Sequence, residues 1–197
     1  MWLYRARIHD WHLNWGAQDE EIHARLPGDD LIEGADLVAN RAIRIDAPVS
    51  AIWPWLVQMG PGRGGAYTYD WIENLFGLGM HSADAIHPEW QQLALDDVPS
   101  ALPGAERGPN AMRVRVLDPE RTLVTASDDG TWVWGFYLFP EDGGTRLLSR
   151  NTIKTGSSHG AKIGMALMSP GSWAMERKML LGIKDRAEKL AREPVTA

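Results

Sequence analysis

Residues 112–153, MRVRVLDPERTLVTASDDGTWVWGFYLFPEDGGTRLLSRNTI, decide the fold of this chain. Three short clusters containing Asp, Pro or Gly, at residues 118–120, 128–130 and 142–144, have the composition of tight turns. The segments between them are rich in β-branched and aromatic residues, which favours strands. The pattern predicts a four-stranded antiparallel meander, with strands over residues 112–117, 122–126, 131–139 and 145–153.

The third predicted strand is apolar on both faces, because alternate residues of a strand share a face. One face carries Trp132, Trp134, Phe136 and Leu138, and the other carries Val133, Gly135, Tyr137 and Phe139. A strand of this kind needs cover on each side, so we expect it at the centre of the sheet. We expect Trp132 and Trp134 to line a cavity between this strand and a helix.

The last predicted strand presents a charged face. Arg146, Leu148, Arg150 and Thr152 lie on the same side of it. A buried guanidinium requires an anionic partner or hydrogen-bond acceptors. If this face is the inner one, Arg150 therefore needs an anion supplied by the protein or by a ligand.

A long helix follows the meander. Ser169 and Pro170 have the composition of a helix start, and we interpret residues 156–160 before them as a flexible break. Apolar side chains then recur at helical spacing through about six turns. They are Trp173, Met179, Leu180, Ile183, Ala187 and Leu190. A helix with such a seam must lie on a sheet, so the chain is predicted to have an α+β fold.

Upstream of the meander the pattern predicts one further strand and a helix. Residues 39–45 alternate between apolar and polar side chains, and Pro48 fits the first turn of a helix. Pro54 lies inside that helix, so we expect a kink or a late start. Residues 93–102 are predicted to contain one irregular strand.

Residues 1–37 are predicted to form a helical extension on the main domain, residues 38–192. Tyr4, Ile8, Trp11 and Trp15 form an aromatic and apolar stripe at helical spacing. We expect the stripe to pack on its own domain; a homodimer contact is the next alternative and a membrane surface the last. A short helix within residues 17–26 and a loop over residues 27–37 complete the extension.

Composition excludes several classes of function. The 197 residues carry 20 Lys and Arg against 26 Asp and Glu, for a net charge of -6, without a basic run. Such a chain offers no electrostatic surface for nucleic acid. It has no cysteine, no apolar run long enough for a membrane span and no signal-peptide pattern, which favours a cytoplasmic monomer or homodimer. Trp 10 against Phe 3 is typical of a cavity or an interface that is apolar and also needs hydrogen-bond donors.

Residues 58–89 combine glycines, aromatic residues and titratable groups. The glycines around Arg63 predict a sharply bent loop that forms a mouth or a hinge. After it, Asp70 and Glu73 lie one turn apart on a predicted short helix. If both are shielded from water, each raises the pKa of the other, which would suit acid–base catalysis. The alternative is a solvated first turn stabilised by the helix dipole.

His81, Asp84 and His87 follow this helix. They have the side chains of metal ligands, but the spacing matches no established metal motif, and no metal site is predicted. His81, oriented by Asp84, is instead a candidate general base or hydrogen-bond donor. The glycine loop lacks the pattern of a phosphate-binding loop, and no cofactor is predicted.

Three segments resemble the START/Bet v 1-like superfamily, also described as polyketide cyclase/dehydrase-like, in an actinobacterial type of subgroup. They are IDAPVSAIWPWLVQMG (residues 45–60), GRGGAYTYDWIENLFGLGMHSAD (residues 62–84) and PGSWAMERKMLLGIK (residues 170–184). The resemblance covers residues 38–190 and implies the helix-grip fold, a curved antiparallel sheet wrapped round a long C-terminal helix. It also implies an apolar cavity between the two. Its members are cyclases, dehydratases, lipid or hormone carriers and chaperone cofactors, which share no catalytic motif.

Two hypotheses of function follow. In the first, the protein is a cofactor-free enzyme, such as a cyclase or dehydratase, that acts on a hydrophobic or aromatic small molecule with Asp70, Glu73 or His81. In the second, it only binds or carries such a molecule. The candidate ligand contacts are Arg63, Tyr67, Trp71, Asp84, Trp132, Trp134 and Arg150. The two hypotheses differ in whether titratable side chains face the cavity.

Overall fold

Five antiparallel strands form one sheet in the order β1-β5-β4-β3-β2. They are β1 (Leu37–Ile45), β2 (Met112–Asp118), β3 (Thr122–Ser127), β4 (Trp132–Glu141) and β5 (Gly144–Ile153). The computed structural model describes residues 10–75, 77, 79–100, 102, 104–109, 111–155 and 159–193, with only the backbone course over 159–169. The predicted meander is confirmed, and β4 lies at the centre of the sheet.

The helices are α1 (Asp19–His23), α2 (Val49–Val57), α3 (Asp70–Leu75) and α4 (His159–Arg192), with single 3-10 turns at Asp29–Leu31 and Pro88–Trp90. Helix α2 begins directly after Pro48, so the predicted late start is wrong. The irregular strand predicted within residues 93–102 is also absent from the described part of that segment. There, Asp96 N donates to Val114 O at 2.9 Å and Val114 N donates to Asp97 O at 2.9 Å, which ties a coil to the edge of β2.

Helix α4 begins at His159, before the predicted start at Ser169. Pro170 lies inside the helix, although its missing N–H and fixed φ favour a first-turn position. The residues before it include Ala, Leu, Met and Lys, which are good helix formers, and they extend the helix upstream. Residues 156–158 of the predicted break lie outside the described residues.

The inner face of the sheet holds the main core. The predicted seam of α4 is confirmed at Met179, Leu180, Ile183 and Ala187, which are buried against the sheet and α2. Gly182 lies where Tyr67 O approaches α4, and a Cβ at this position would collide with that oxygen. The sheet, packed against a long C-terminal helix, has the predicted α+β architecture. This is the helix-grip fold.

The described part of the N-terminal extension covers the outer face and one edge of the sheet. Ile32 packs on that face in a cluster with Val124, Val133 and Leu148. At the edge of β1, Ala42 N donates to Trp15 O at 3.1 Å.

The described aromatic residues of the predicted stripe contact α4. The rings of Trp11 and Trp173 lie 5.1 Å apart, and the Arg177 guanidinium carbon lies 5.2 Å from the Trp15 ring centroid. Tyr4 and Ile8 lie outside the described residues. No helix in the described ranges is both long and apolar enough to cross a membrane.

Candidate functional site

A cavity of about 420 Å³ lies against the inner face of β3 and β4. Other lining residues come from α2, β2 and three loop segments: Leu56, Met59, Gly60, Pro61, Gly65, Ala66, Gly77, Met80, Val98, Pro99, Ser100, Leu102, Ala105, Ala111 and Met112. The side chains on the sheet are Leu123, Thr125, Trp132, Trp134 and Phe136. None of the described lining residues has a titratable side chain, and the lining surface is predominantly apolar. The volume lies in the range of about 300–1,000 Å³ that is usual for small-molecule sites.

The strand β4 supplies the aromatic wall of the cavity through Trp132, Trp134 and Phe136. The sequence predicted a cavity between this strand and the long helix, but the described lining contains no residue of α4. The Trp132 and Trp134 rings are stacked at 5.7 Å with an interplanar angle of 17°. The Trp134 and Phe136 rings lie 5.0 Å apart and are tilted by 44°. Trp132 is 36% exposed and marks the rim, whereas Phe136 is buried.

Both indole N–H groups are held by side chains of β5. Trp132 Nε1 donates to Asn151 Oδ1 at 2.8 Å, and Trp134 Nε1 donates to Ser149 Oγ at 3.0 Å. In the register of the sheet, Trp132 lies opposite Ile153 and Trp134 lies opposite Asn151. Each indole therefore bonds to the β5 residue diagonally across from it, two positions before its direct partner. The polar edges of the rings are thus occupied, which leaves carbon surface on the cavity.

The two β5 side chains bond in turn to Glu176 of α4. Ser149 Oγ donates to Glu176 Oε1 at 2.7 Å, and Asn151 Nδ2 donates to Glu176 Oε2 at 3.1 Å. Arg41 of β1 forms an ion pair with Glu176, and Arg41 Nε donates to His12 O at 3.2 Å. Arg41 and Glu176 are only 1% and 6% exposed. We call Arg41, Ser149, Asn151 and Glu176 the Glu176 cluster.

Burial raises the pKa of the Glu176 carboxyl, and the charge of Arg41 is the largest of the effects that oppose this rise. The hydrogen bonds from Ser149, Arg41 and Asn151 also stabilise the carboxylate. The prediction of site residues missed Arg41 and Glu176. The sequence did contain a signal that both side chains are buried. Arg41 shares a strand face with Ile43 and Ile45, and Glu176 lies one helical turn before Met179 and Leu180 within the apolar seam.

The glycine-rich loop forms part of the cavity wall. Gly60 and Gly65 have φ values of 133° and 68° and are joined by a backbone hydrogen bond of 2.9 Å from Gly60 N to Gly65 O. A side chain at Gly60 would collide with Pro99 O, and one at Gly65 with the backbone of His81. The predicted sharp bend is present, and the groups that approach the glycines closely belong to the chain itself.

Arg63 and Tyr67 do not lie among the described cavity-lining residues. Arg63 Nη2 donates to Val57 O at 3.1 Å and to Trp90 O at 2.7 Å. The Tyr67 side chain is buried, and its hydroxyl donates to Trp55 O at 2.9 Å. Both side chains therefore tie the loop to its neighbours.

Asp70, His81 and Asp84 also lie outside the described lining. Asp70 Oδ2 accepts a hydrogen bond from Ser82 N at 2.8 Å, and Asp70 Oδ1 accepts one from Ser82 Oγ at 2.6 Å. The His81 side chain is 94% exposed and lies 4.0 Å from Asp70. Asp84 does not orient His81, because Asp84 Oδ1 accepts a hydrogen bond from Arg186 at 2.8 Å. The described residues contain no group of three or more side chains placed to hold a metal.

Glu73 and Trp71 occupy opposite environments on α3. Burial is the largest cause of the raised pKa of Glu73, with the charge of Asp70 adding to it and the Thr68 hydroxyl opposing it. Glu73 Oε2 is buried without a hydrogen-bond partner of normal geometry. Trp71 is 67% exposed. Neither residue is part of the described cavity lining.

Arg150 lies on the outer face of the sheet, away from the Trp-lined cavity. Its Nη1 bonds to Asp29 Oδ2 at 2.8 Å and to Ala24 O at 2.9 Å, and its Nε bonds to Asn40 Oδ1 at 2.7 Å. Its Nη2 bonds to Glu21 O at 2.6 Å. The anionic partner foreseen for Arg150 is thus supplied by the protein. Arg150 does line a second cavity of about 380 Å³, between the extension and the sheet.

Comparison with known proteins gives matches of fold. No protein-family model and no curated protein sequence matches the chain. Among solved structures it is similar to a Polyketide_cyc-like protein from Corynebacterium glutamicum, with 14% identity, coverage of 79% of this chain and 89% of that chain, and a TM-score of 0.35. It is also similar to the Aha1 dimer from Colwellia psychrerythraea, with 16% identity, coverage of 77% and 96%, and a TM-score of 0.42.

A protein from Mycobacterium smegmatis matches with 13% identity, coverage of 82% of this chain and 93% of that chain, and a TM-score of 0.42. At identities of 13–16%, these matches identify neither a family nor a subgroup for this chain. Likenesses this distant carry no information about a ligand or a reaction.

Proposed function

We propose that the protein binds an uncharged hydrophobic or aromatic small molecule in the cavity between β3, β4 and the three loop segments. The observation that carries this proposal is the lining itself. An aromatic wall of Trp132, Trp134 and Phe136 faces apolar loop residues such as Met59 and Leu102. Burial of apolar and aromatic surface in such a space is favourable at about 25 cal/mol per Å².

The same lining favours binding over acid–base catalysis. A proton-transfer reaction requires a titratable group within hydrogen-bond reach of the bound molecule. The described lining contains Ser100 and Thr125 as its polar side chains, and neither titrates near neutral pH. Glu73 has a raised pKa, but it does not line the cavity. A carrier or binding protein is therefore the better-supported of the two hypotheses.

Replacing Trp134 with alanine is expected to weaken the binding of N-phenyl-1-naphthylamine, an uncharged fluorescent probe, by about tenfold, because the central ring of the aromatic wall is lost. The measurement is a fluorescence titration of the folded variant. Trp71→Ala is the matched control, since Trp71 is exposed on α3 and outside the described lining. Equal affinity in Trp134→Ala and the unaltered protein, or an equal loss in both variants, would contradict the proposal.

A further inference from the structure

The Glu176 cluster connects the cavity wall to the core of the protein through hydrogen bonds that all run in one direction. The indoles donate to Ser149 and Asn151, and these two side chains donate to Glu176. Arg41 also donates to Glu176. These five bonds therefore point toward one carboxylate, which can accept several hydrogen bonds and donate none while it is ionised.

This direction fixes the acceptors that the indoles need. An indole Nε1 is a donor only. Asn151 donates its Nδ2 hydrogen to Glu176, which turns Asn151 Oδ1 toward Trp132 as an acceptor. Ser149 donates its hydroxyl hydrogen to Glu176, which leaves the lone pairs of Ser149 Oγ free to accept a hydrogen bond from Trp134. Glu176 thus sets the orientation of both β5 side chains, and they set the orientation of both rings.

The rings in turn define the flat part of the cavity wall. Trp132 and Trp134 are nearly parallel, with an interplanar angle of 17°. If either N–H lost its acceptor, the ring would be free to rotate toward another partner, since a buried unpaired donor is costly. Rings held in one orientation favour flat molecules that stack on them over flexible chains of similar volume.

From these contacts we infer that Ser149 and Asn151, held by Glu176, are positioning residues for the cavity, which orient the indoles of Trp134 and Trp132 and so make the site selective for flat, uncharged aromatic molecules. This inference rests on the proposed function and deepens it. Glu176 itself does not touch the ligand, because the β5 side chains lie between it and the rings.

A double-mutant cycle tests the inference. Ser149→Ala removes the acceptor of Trp134 Nε1, and Trp134→Phe removes the N–H itself but keeps an aromatic ring. The probe is N-phenyl-1-naphthylamine, displaced by 2-naphthol as the flat molecule and by 1-decanol as the flexible one. We expect Ser149→Ala to weaken 2-naphthol binding by about fivefold to tenfold. The same change should alter 1-decanol binding by less than about twofold.

In the Trp134→Phe background, Ser149→Ala should change 2-naphthol affinity by less than about twofold, because the bond it removes no longer exists. The near-ultraviolet circular dichroism of the tryptophans should change in Ser149→Ala and not in Thr145→Val. Thr145 is the matched control, since it is buried on the same face of β5 but its hydroxyl donates to Ala47 O at 2.8 Å.

The outcomes separate the two proposals. Normal binding of the probe, with equal effects of Ser149→Ala on both displacing molecules or in both backgrounds, would overturn the positioning role and leave the proposed function intact. A complete lack of probe binding by the unaltered protein would overturn both. Melting temperatures of all variants show whether a change in affinity reflects a loss of folded protein.

Discussion

Replacing Arg41 with methionine is expected to lower the free energy of unfolding by about 3–5 kcal/mol at neutral pH, because it leaves a buried carboxylate without its cation. Glu176 would keep the hydrogen bonds from Ser149 and Asn151, but these are neutral donors. The ion pair is almost fully enclosed, so water cannot replace the guanidinium. Urea denaturation of the variant and the unaltered protein measures the difference.

The loss should depend on pH. Burial raises the pKa of Glu176 above its ordinary value of 4.5, and the variant lacks Arg41, the largest opposing effect. The folded protein then holds a proton that the unfolded chain releases, so stability is highest below the unfolded pKa and falls as the pH rises through the folded pKa. Arg41→Met should therefore be destabilised less at about pH 5 than at about pH 8.

The double variant Arg41→Met, Glu176→Gln is the control for this prediction. It removes the buried charge, so it should recover part of the lost stability and most of the pH dependence. A loss below about 1 kcal/mol in Arg41→Met, or the same loss at both pH values, would show that Glu176 is not held as a buried carboxylate.

Replacing Arg150 with methionine is expected to cost about 2–4 kcal/mol of stability and to leave ligand binding unchanged. The side chain is 5% exposed and satisfies acceptors on the extension and on β1, including Asp29 and Asn40. Its removal leaves these acceptors unpaired and loosens the extension from the outer face. Because the Trp-lined cavity lies on the opposite face, the affinity for N-phenyl-1-naphthylamine should remain within about twofold, below the size of a single lost contact.

Arg115→Met is the matched control for Arg150→Met. Arg115 pairs with Asp96 at the sheet edge and is 35% exposed, so its loss should cost less than about 1 kcal/mol. A weakening of probe binding in Arg150→Met as large as that expected for Trp134→Ala would contradict the separation of Arg150 from the ligand site.

Much of the fold could be predicted because it depends on local patterns. The turn signals delimited four strands, and the apolar character of both faces of residues 131–139 placed β4 at the centre of the sheet. The seven-residue spacing of Leu180 and Ala187 identified the seam of α4. The start of that helix was not predictable in the same way, since Pro170 is typical of a first turn but lies within the helix.

The site was less predictable because it depends on which distant segments meet. Arg41 and Glu176 are 135 positions apart in the chain, and only the fold pairs them. The alternation of residues along β5 shows that Arg146, Leu148, Arg150 and Thr152 share one face of the sheet. It does not show whether that face is the inner or the outer one, because this depends on how the strand pairs with its neighbours. Trp132 and Trp134 line a cavity, which their sequence could indicate because their strand is apolar on either side, and their contact with a ligand stays a prediction.

The titratable side chains within residues 58–89 show that composition alone does not identify an active site. Asp70 and Ser82 form two hydrogen bonds that shape the loop, and His81 lies in solvent. Carboxylates, histidines and glycines that crowd together in a sequence suit an active site, but the same residues also build turns and caps. Only the positions of their side chains relative to the cavity distinguish these two uses.

Photolabelling locates the ligand site, which we place in the Trp-lined cavity. The intact protein is illuminated with phenyl(trifluoromethyl)diazirine, an uncharged apolar label, and the modified peptides are located by mass spectrometry. We expect labels within residues 98–112 and 123–136, and these labels should decrease when N-phenyl-1-naphthylamine is added and in the cavity-filling variant Ala105→Trp. Labels confined to the outer-face extension, residues 10–36, or to the exposed helix α3, unchanged by the competitor and by Ala105→Trp, would contradict this placement.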